Sequence, residues 1–138
     1  MTVRPRRPLP SIKFDALLAL MDRWPKSWAG IAKDEAVGGD LTALMRPFFL
    51  HLRQHNFSAK TLRRHLDNLW LIGGEIIRAL HDDAALRNKT ARTLLLKAVD
   101  DGDAFTAGLS DEQQSSLNAT ARKLFHFLNA PILNAPTQ

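Results

Sequence analysis

Leu62, Leu66, Leu69, Gly73, Ile76 and Leu80 follow one another at steps of four, three, four, three and four residues. A strand alternates every second residue and cannot gather these six on one side. An α-helix places them in one continuous seam. Trp70 and Ile77 widen the seam, and Ser58 stands where an N-cap side chain would accept a bond from the first helical turn. Lys60, Arg63, Arg64, Asp67 and Asn68 lie away from the seam's centre. Gly73-Gly74 interrupts the seam, and each glycine costs a helix interior about 1 kcal/mol relative to alanine. Such a pair marks a kink or a close crossing by another helix. No Gly-Lys-Ser/Thr accompanies it, so it is not a phosphate loop.

The flanking sequence supplies helices for this one to pack against. Phe14, Leu17, Leu18, Leu20, Met21 and Trp24 have helical spacing, and Pro25 is read as their stop. Residues 25–40 read as a loop with at most one short helical turn, ending in Gly38-Gly39, with Asp40 as N-cap of the next helix. Leu41 to His55 reads as helical. Pro47 within it forces either a kink or a helix that begins only at Pro47. Asn56-Phe57 makes a short turn. Thr90 to Val99 forms a shorter helix with Ala91, Leu94, Leu95 and Ala98 on one face, ended by Asp100-Asp101-Gly102-Asp103. Ser110 and Gln113 form a capping box that opens a helix to Leu128 with the seam Leu117, Ala121, Leu124, Phe125 and Leu128.

The expected fold is therefore all-α. It is a compact bundle of about five helices over residues 12–128, preceded by an extended basic arm (1–11) and followed by a disordered tail (129–138). Pro5, Pro8 and Pro10 keep the arm extended, and Asn-Ala-Pro occurs twice in the tail. The 138 residues suit one domain, and a chain of that length buries about two-thirds of its unfolded surface. The expected core is Leu62, Leu66, Leu69, Trp70, Ile76, Ile77, Leu80, Leu94, Leu117, Leu124 and Leu128. No apolar run approaches the roughly 18 residues of a membrane span, and no apolar segment follows the arginines of the arm as a secretion signal requires. The expected location is cytoplasmic.

No catalytic constellation is present. The sequence has no cysteine, which removes disulfides, thiolate chemistry and cysteine-bound zinc, and no Gly-x-Ser-x-Gly. His51 and His55 stand four apart, but the run is His-Leu-Arg-Gln-His and lacks the glutamate of a zinc protease, so no stoichiometric metal is expected there. Asp100, Asp101 and Asp103 lack the spacing of a calcium loop. Neither an enzyme nor a cofactor is expected.

Charge is unevenly spread. Residues 1–70 hold 12 Lys/Arg against 6 Asp/Glu, and residues 71–138 hold 7 against 8. From Leu41 to Leu66 there is no acid, while Arg46, Arg53, Lys60, Arg63 and Arg64 occur together with His51, His55 and His65. A one-sided basic surface attracts phosphate backbones by releasing their condensed counterions. A solvated helix face is the plainer reading of the same charges.

Within that stretch, Phe48 to Leu69 resembles the core-binding domain of the tyrosine recombinases, the phage-integrase family. That domain typically has an aromatic-led helix, a short turn ending in an apolar residue and Ser, then Thr three on, Tyr seven on and Leu eleven on. Ser58, Thr61 and Leu69 keep this spacing; His65 replaces the aromatic and Asn56 the usual glycine. The resemblance does not cover residues 1–40. It implies a helical DNA-binding module, with Lys60, Arg63 and Arg64 on phosphates or in a groove, Arg53 and Arg46 beside them, and Arg4, Arg6 and Arg7 adding affinity from the arm. The family cuts DNA with a tyrosine, and this sequence contains none, so strand cleavage is not expected of it. The alternative is a helical protein-interaction module or homodimer, since an apolar seam, three tryptophans and a Gly-Gly crossing also suit association between helices.

Overall fold

A computed structural model describes residues 11–100 and 108–130, and every described element is helical. The chain runs through α1 (Ser11–Leu20), a 3-10 turn (Met21–Arg23), α2 (Trp24–Trp28), α3 (Ala32–Arg53), α4 (Ala59–Asp82), a 3-10 turn (Ala84–Asn88), α5 (Ala91–Ala98) and α6 (Asp111–Asn129). No strand occurs among the described residues, and none of their helices is long and apolar enough to cross a membrane. The extended arm and the tail expected from the sequence lie outside the described residues, apart from Ser11, which already belongs to α1, and Asn129 and Ala130 at the end of α6.

α4 lies at the centre. Its seam residues Leu62, Leu66, Leu69, Gly73, Ile76 and Leu80 are all buried, as is Ile77. Ser58 caps it as expected, its Oγ accepting from the Thr61 amide at 3.2 Å. α3 packs on one side of α4 with Leu41, Met45, Phe48, Phe49 and Leu52. α6 packs on another with Leu117, Ala121, Leu124 and Leu128, and opens with the Ser110–Gln113 capping box. α5 contributes Leu94 and Leu95 against α3 and α4. α1 joins through Phe14, whose ring stacks on Phe49 with centroids 5.1 Å apart.

The largest departure from the sequence reading lies in residues 25–40. They are not a loop, and Pro25 does not end helical structure: it occupies the first turn of α2, where a missing N–H costs nothing. α3 then runs unbroken from Ala32 through Gly38-Gly39 and through Pro47, and Asp40 lies inside it rather than at its cap. Two contacts account for this. Gly38 is buried under α2, and a Cβ there would come 2.9 Å from Pro25 Cα and 3.3 Å from the Trp28 ring. Pro47 is exposed, on the same side as Ala43 and Leu50, where water can reach the carbonyl that its missing N–H leaves free.

Trp28 is the wedge between α3 and α4. A Cβ on Gly73 would stand 2.2–2.9 Å from three atoms of its indole, so Gly73 marks a close crossing. The Trp28 Nε1–H donates to the Trp70 carbonyl at 3.0 Å, and Trp70 Nε1–H donates to Ser27 Oγ at 3.0 Å. Trp70, expected in the core, therefore lies over α2 with 41% of its surface exposed.

Asp34 ties the start of α3 to the end of α4. It is fully buried, and its Oδ2 accepts from the Gly30 and Ile31 amides (2.8 and 3.1 Å) at the start of α3. The same oxygen pairs with His81 Nε2 at the end of α4 (2.7 Å), and Oδ1 accepts from Arg87 in the following 3-10 turn (2.8 Å). Burial opposes its charge, but the His81 and Arg87 bonds and the two amides outweigh burial and hold the carboxyl well below the usual carboxylate range.

Candidate nucleic-acid interface

The cap fixes the phase of α4, so residues 60, 63 and 64 leave the helix away from the seam. Lys60, Arg63 and Arg64 are all exposed and line one groove of about 740 Å³ between α4 and α6. The opposite wall is the first half of α6, with Gln113, Ser115, Ser116 and Ala119. Glu112 and Asp67 also line it, and Asp67 accepts from Arg63 Nε at 3.0 Å. Lys60 and Arg64 have no ion-pair partner among the described residues.

The five cations of the acid-free stretch do not share one environment. Arg46 is half-buried and bonded to Asp22 at 2.6 Å, which ties α3 to the turn after α1. Arg53 lays its guanidinium over the Phe14 ring, 4.5 Å from the centroid. Both hold helices together with the groups expected to reach phosphate. Arg4, Arg6 and Arg7 lie outside the described residues.

A further cation, Lys123 of α6, lies outside the groove, in the cleft beside His51 and His55. Lys123 Nζ sits over Phe57, 5.7 Å from its centroid, beside the α3–α4 turn. Its charge and that of Arg64 both act on His65. No local signal points to Lys123, because the helix carrying it folds back from about 60 residues along the chain. In the turn itself Asn56 adopts φ 55°, a left-handed conformation that glycine favours and asparagine tolerates best among other residues.

Asn68, which lies away from the seam's centre, and His65, at the position of the aromatic, are both buried against α6. Asn68 Nδ2 donates to Thr120 Oγ1 (2.8 Å) and to Ser116 Oγ (3.1 Å). Thr120 Oγ1 stands 2.7 Å from His65 Nδ1. Asn68 donates into the threonine oxygen, and the hydroxyl also stands 3.4 Å from the Ser116 carbonyl, so Thr120 joins His65, Asn68 and α6 in one buried network. Burial, aided by the positive charges of Lys123 and Arg64, pushes His65 down to about 4. It is a bundle residue between two cations and adds no charge to them at neutral pH.

His51 and His55 lie beside the same corner, with their Nε2 atoms 3.1 Å apart. Burial and the neighbouring His55 lower His51 from the ordinary imidazole value. Among the described residues no group of three His, Cys, Asp or Glu side chains is placed to hold a metal ion. No protein-family model, curated protein or solved structure matches the chain.

Proposed function

We propose that this chain is a non-catalytic helical DNA-binding domain, organised like the core-binding module of the tyrosine recombinases, that grips duplex phosphates through the start of α4. The observation that carries the reading is the gathering of Lys60, Arg63 and Arg64 on one groove wall, with Lys123 of α6 a further cation outside the groove whose charge, like that of Arg64, reaches His65. The Ser58 cap and the left-handed Asn56 support the same reading, because they supply the tight turn that the resemblance requires. Contacts of this kind position a protein on DNA without reading its sequence. Arg46 and Arg53 serve the bundle in this arrangement, and the arm arginines Arg4, Arg6 and Arg7 add sequence-independent affinity.

Replacing Lys60, Arg63 and Arg64 together by glutamate is expected to abolish duplex binding with the helical content unchanged, since all three are exposed and off the seam. Each neutralised phosphate contributes about −0.9 to the slope of log K against log salt. Four cations therefore imply a loss of about two orders of magnitude between 50 and 200 mM salt. Reversing Lys97 and Arg122, outside the groove, is the control and should change binding far less. Wild-type protein with no affinity for duplex DNA at 50 mM salt would overturn the proposal.

The alternative is a protein-interaction module or homodimer, and one observation favours it. Trp70 is exposed beside an apolar cleft of about 510 Å³ lined by Leu20, Trp24, Leu66 and Leu71. The other exposed large apolar residues among the described ones, Ile31 at the cap of α3 and Leu50 within it, are 19 positions apart, about 28 Å, and do not merge into a patch. A measured molar mass above that of a monomer, lowered by Trp70→Ser, would favour association.

A further inference from the structure

His51 lies in the last turn of α3 and His55 in the turn that follows it, four residues apart, and their Nε2 atoms stand 3.1 Å apart. Two imidazole nitrogens each about 2.0–2.1 Å from one metal ion stand about 2.9 Å apart at a right angle and about 3.4 Å apart at a tetrahedral angle. The observed separation falls between these values; the two rings share a hydrogen bond at that distance, and an ion bound by both would take the place of its proton.

The rings are also braced. The His51 ring lies 5.1 Å from that of Phe127 on α6, and the His55 ring 6.1 Å from that of Phe57 in the turn. The pair opens on a cleft of about 330 Å³ that Lys123 and His126 also line. We propose that His51 and His55 form a labile two-histidine site for a divalent transition metal, with water completing the coordination.

The donor set predicts which ion. Two neutral imidazoles without a carboxylate favour late first-row metals, copper(II) above nickel(II) and zinc(II), and give nothing to magnesium or calcium. Lys123 opposes a cation, and two protein ligands hold one loosely, so the metal exchanges freely and is lost on purification. That is compatible with a protein that carries no stoichiometric metal. The site does not depend on DNA binding, and the missing glutamate of the His-Leu-Arg-Gln-His run bears on hydrolysis rather than on coordination.

The test is a copper(II) titration of the metal-free full chain, followed by calorimetry and electron paramagnetic resonance. One ion per chain is expected, with hyperfine coupling to two imidazole nitrogens. His55→Ala, at an exposed position that leaves the fold intact by circular dichroism, should weaken binding by about tenfold or more as a chelate becomes a single contact. His126→Ala should leave the affinity within about twofold, on the same arithmetic of lost contacts. The proposal is overturned if wild-type protein takes up no copper, if His55→Ala binds as wild type does, or if His126→Ala removes the site.

Discussion

Asp34→Asn tests whether one buried carboxylate joins three parts of the bundle. The carboxylate has no exposed surface and accepts bonds from Gly30, Ile31, His81 and Arg87. Asparagine keeps the shape and one acceptor, but turns an N–H₂ toward either the arginine or the histidine. The Arg87 side chain is only 20% exposed and its second terminal nitrogen, Nη1, already lacks a partner among the described residues, so it cannot simply turn to water. Removing one member of a buried pair costs about 3–5 kcal/mol, and losing cap-type bonds to the Gly30 and Ile31 amides about 0.5–2 kcal/mol. His81 is 39% exposed, so its share is screened by solvent and is left out. A loss of about 4 kcal/mol is expected, a large part of the roughly 5–15 kcal/mol that holds a domain folded. Urea denaturation at pH 7 reads it. Arg87→Met should be strongly destabilising alone, and combined with Asp34→Asn should cost about 1–2 kcal/mol less than the two changes summed. A carboxyl held below its unfolded value stabilises above about pH 4, and that contribution is lost as pH falls through the folded value. Asp34→Asn should therefore flatten the stability profile below pH 4. A denaturation midpoint within about 0.5 kcal/mol of wild type, or strict additivity with Arg87→Met, would refute the reasoning.

Two further outcomes follow from the packing. His65 sits at about 4 in the folded chain against 6.5 unfolded, so between those values the unfolded chain takes the proton first. Stability should fall by up to about 1.4 kcal/mol per pH unit from pH 6.5 to 4, on the order of 3 kcal/mol in all, and His65→Gln should lose that slope; a profile unchanged by the substitution would contradict the buried neutral ring. Gly73→Ala should destabilise by about 1–3 kcal/mol because its Cβ would overlap the Trp28 indole. Gly39→Ala, where a Cβ meets nothing within 4 Å, should instead stabilise by up to about 1 kcal/mol, and equal effects at the two sites in thermal unfolding would disprove the crossing.

What the sequence made legible follows from how far each signal reaches. The α4 seam is readable because six residues of one period outweigh any single misplaced residue, and Ser58 then fixes which side chains leave the helix off the seam. Lys60, Arg63 and Arg64 were located by that local logic alone. Residues 25–40 were misread because local cost was taken as decisive. Gly38-Gly39 and Pro25 argue against helix one residue at a time, whereas burying Trp28 between Gly38 and Gly73, two glycines 35 positions apart in sequence, repays that cost. Trp70 failed for a related reason, since hydrophobicity alone does not say which indole becomes the wedge between helices and which lies over α2 with its N–H on Ser27. The burial of Asn68 and His65 was not legible because a seam specifies one buried face, and α4 buries a second one against Ser116 and Thr120 of α6. The same packing supplies the far wall of the basic groove and sets Lys123 over Phe57 at the α3–α4 turn. One wall of the candidate interface is thus encoded by a cap and a period within 25 residues. The other is encoded by which face of α6 the buried His65–Thr120–Asn68 bonds select, and a change that breaks those bonds should disturb the groove without touching a single one of its cations.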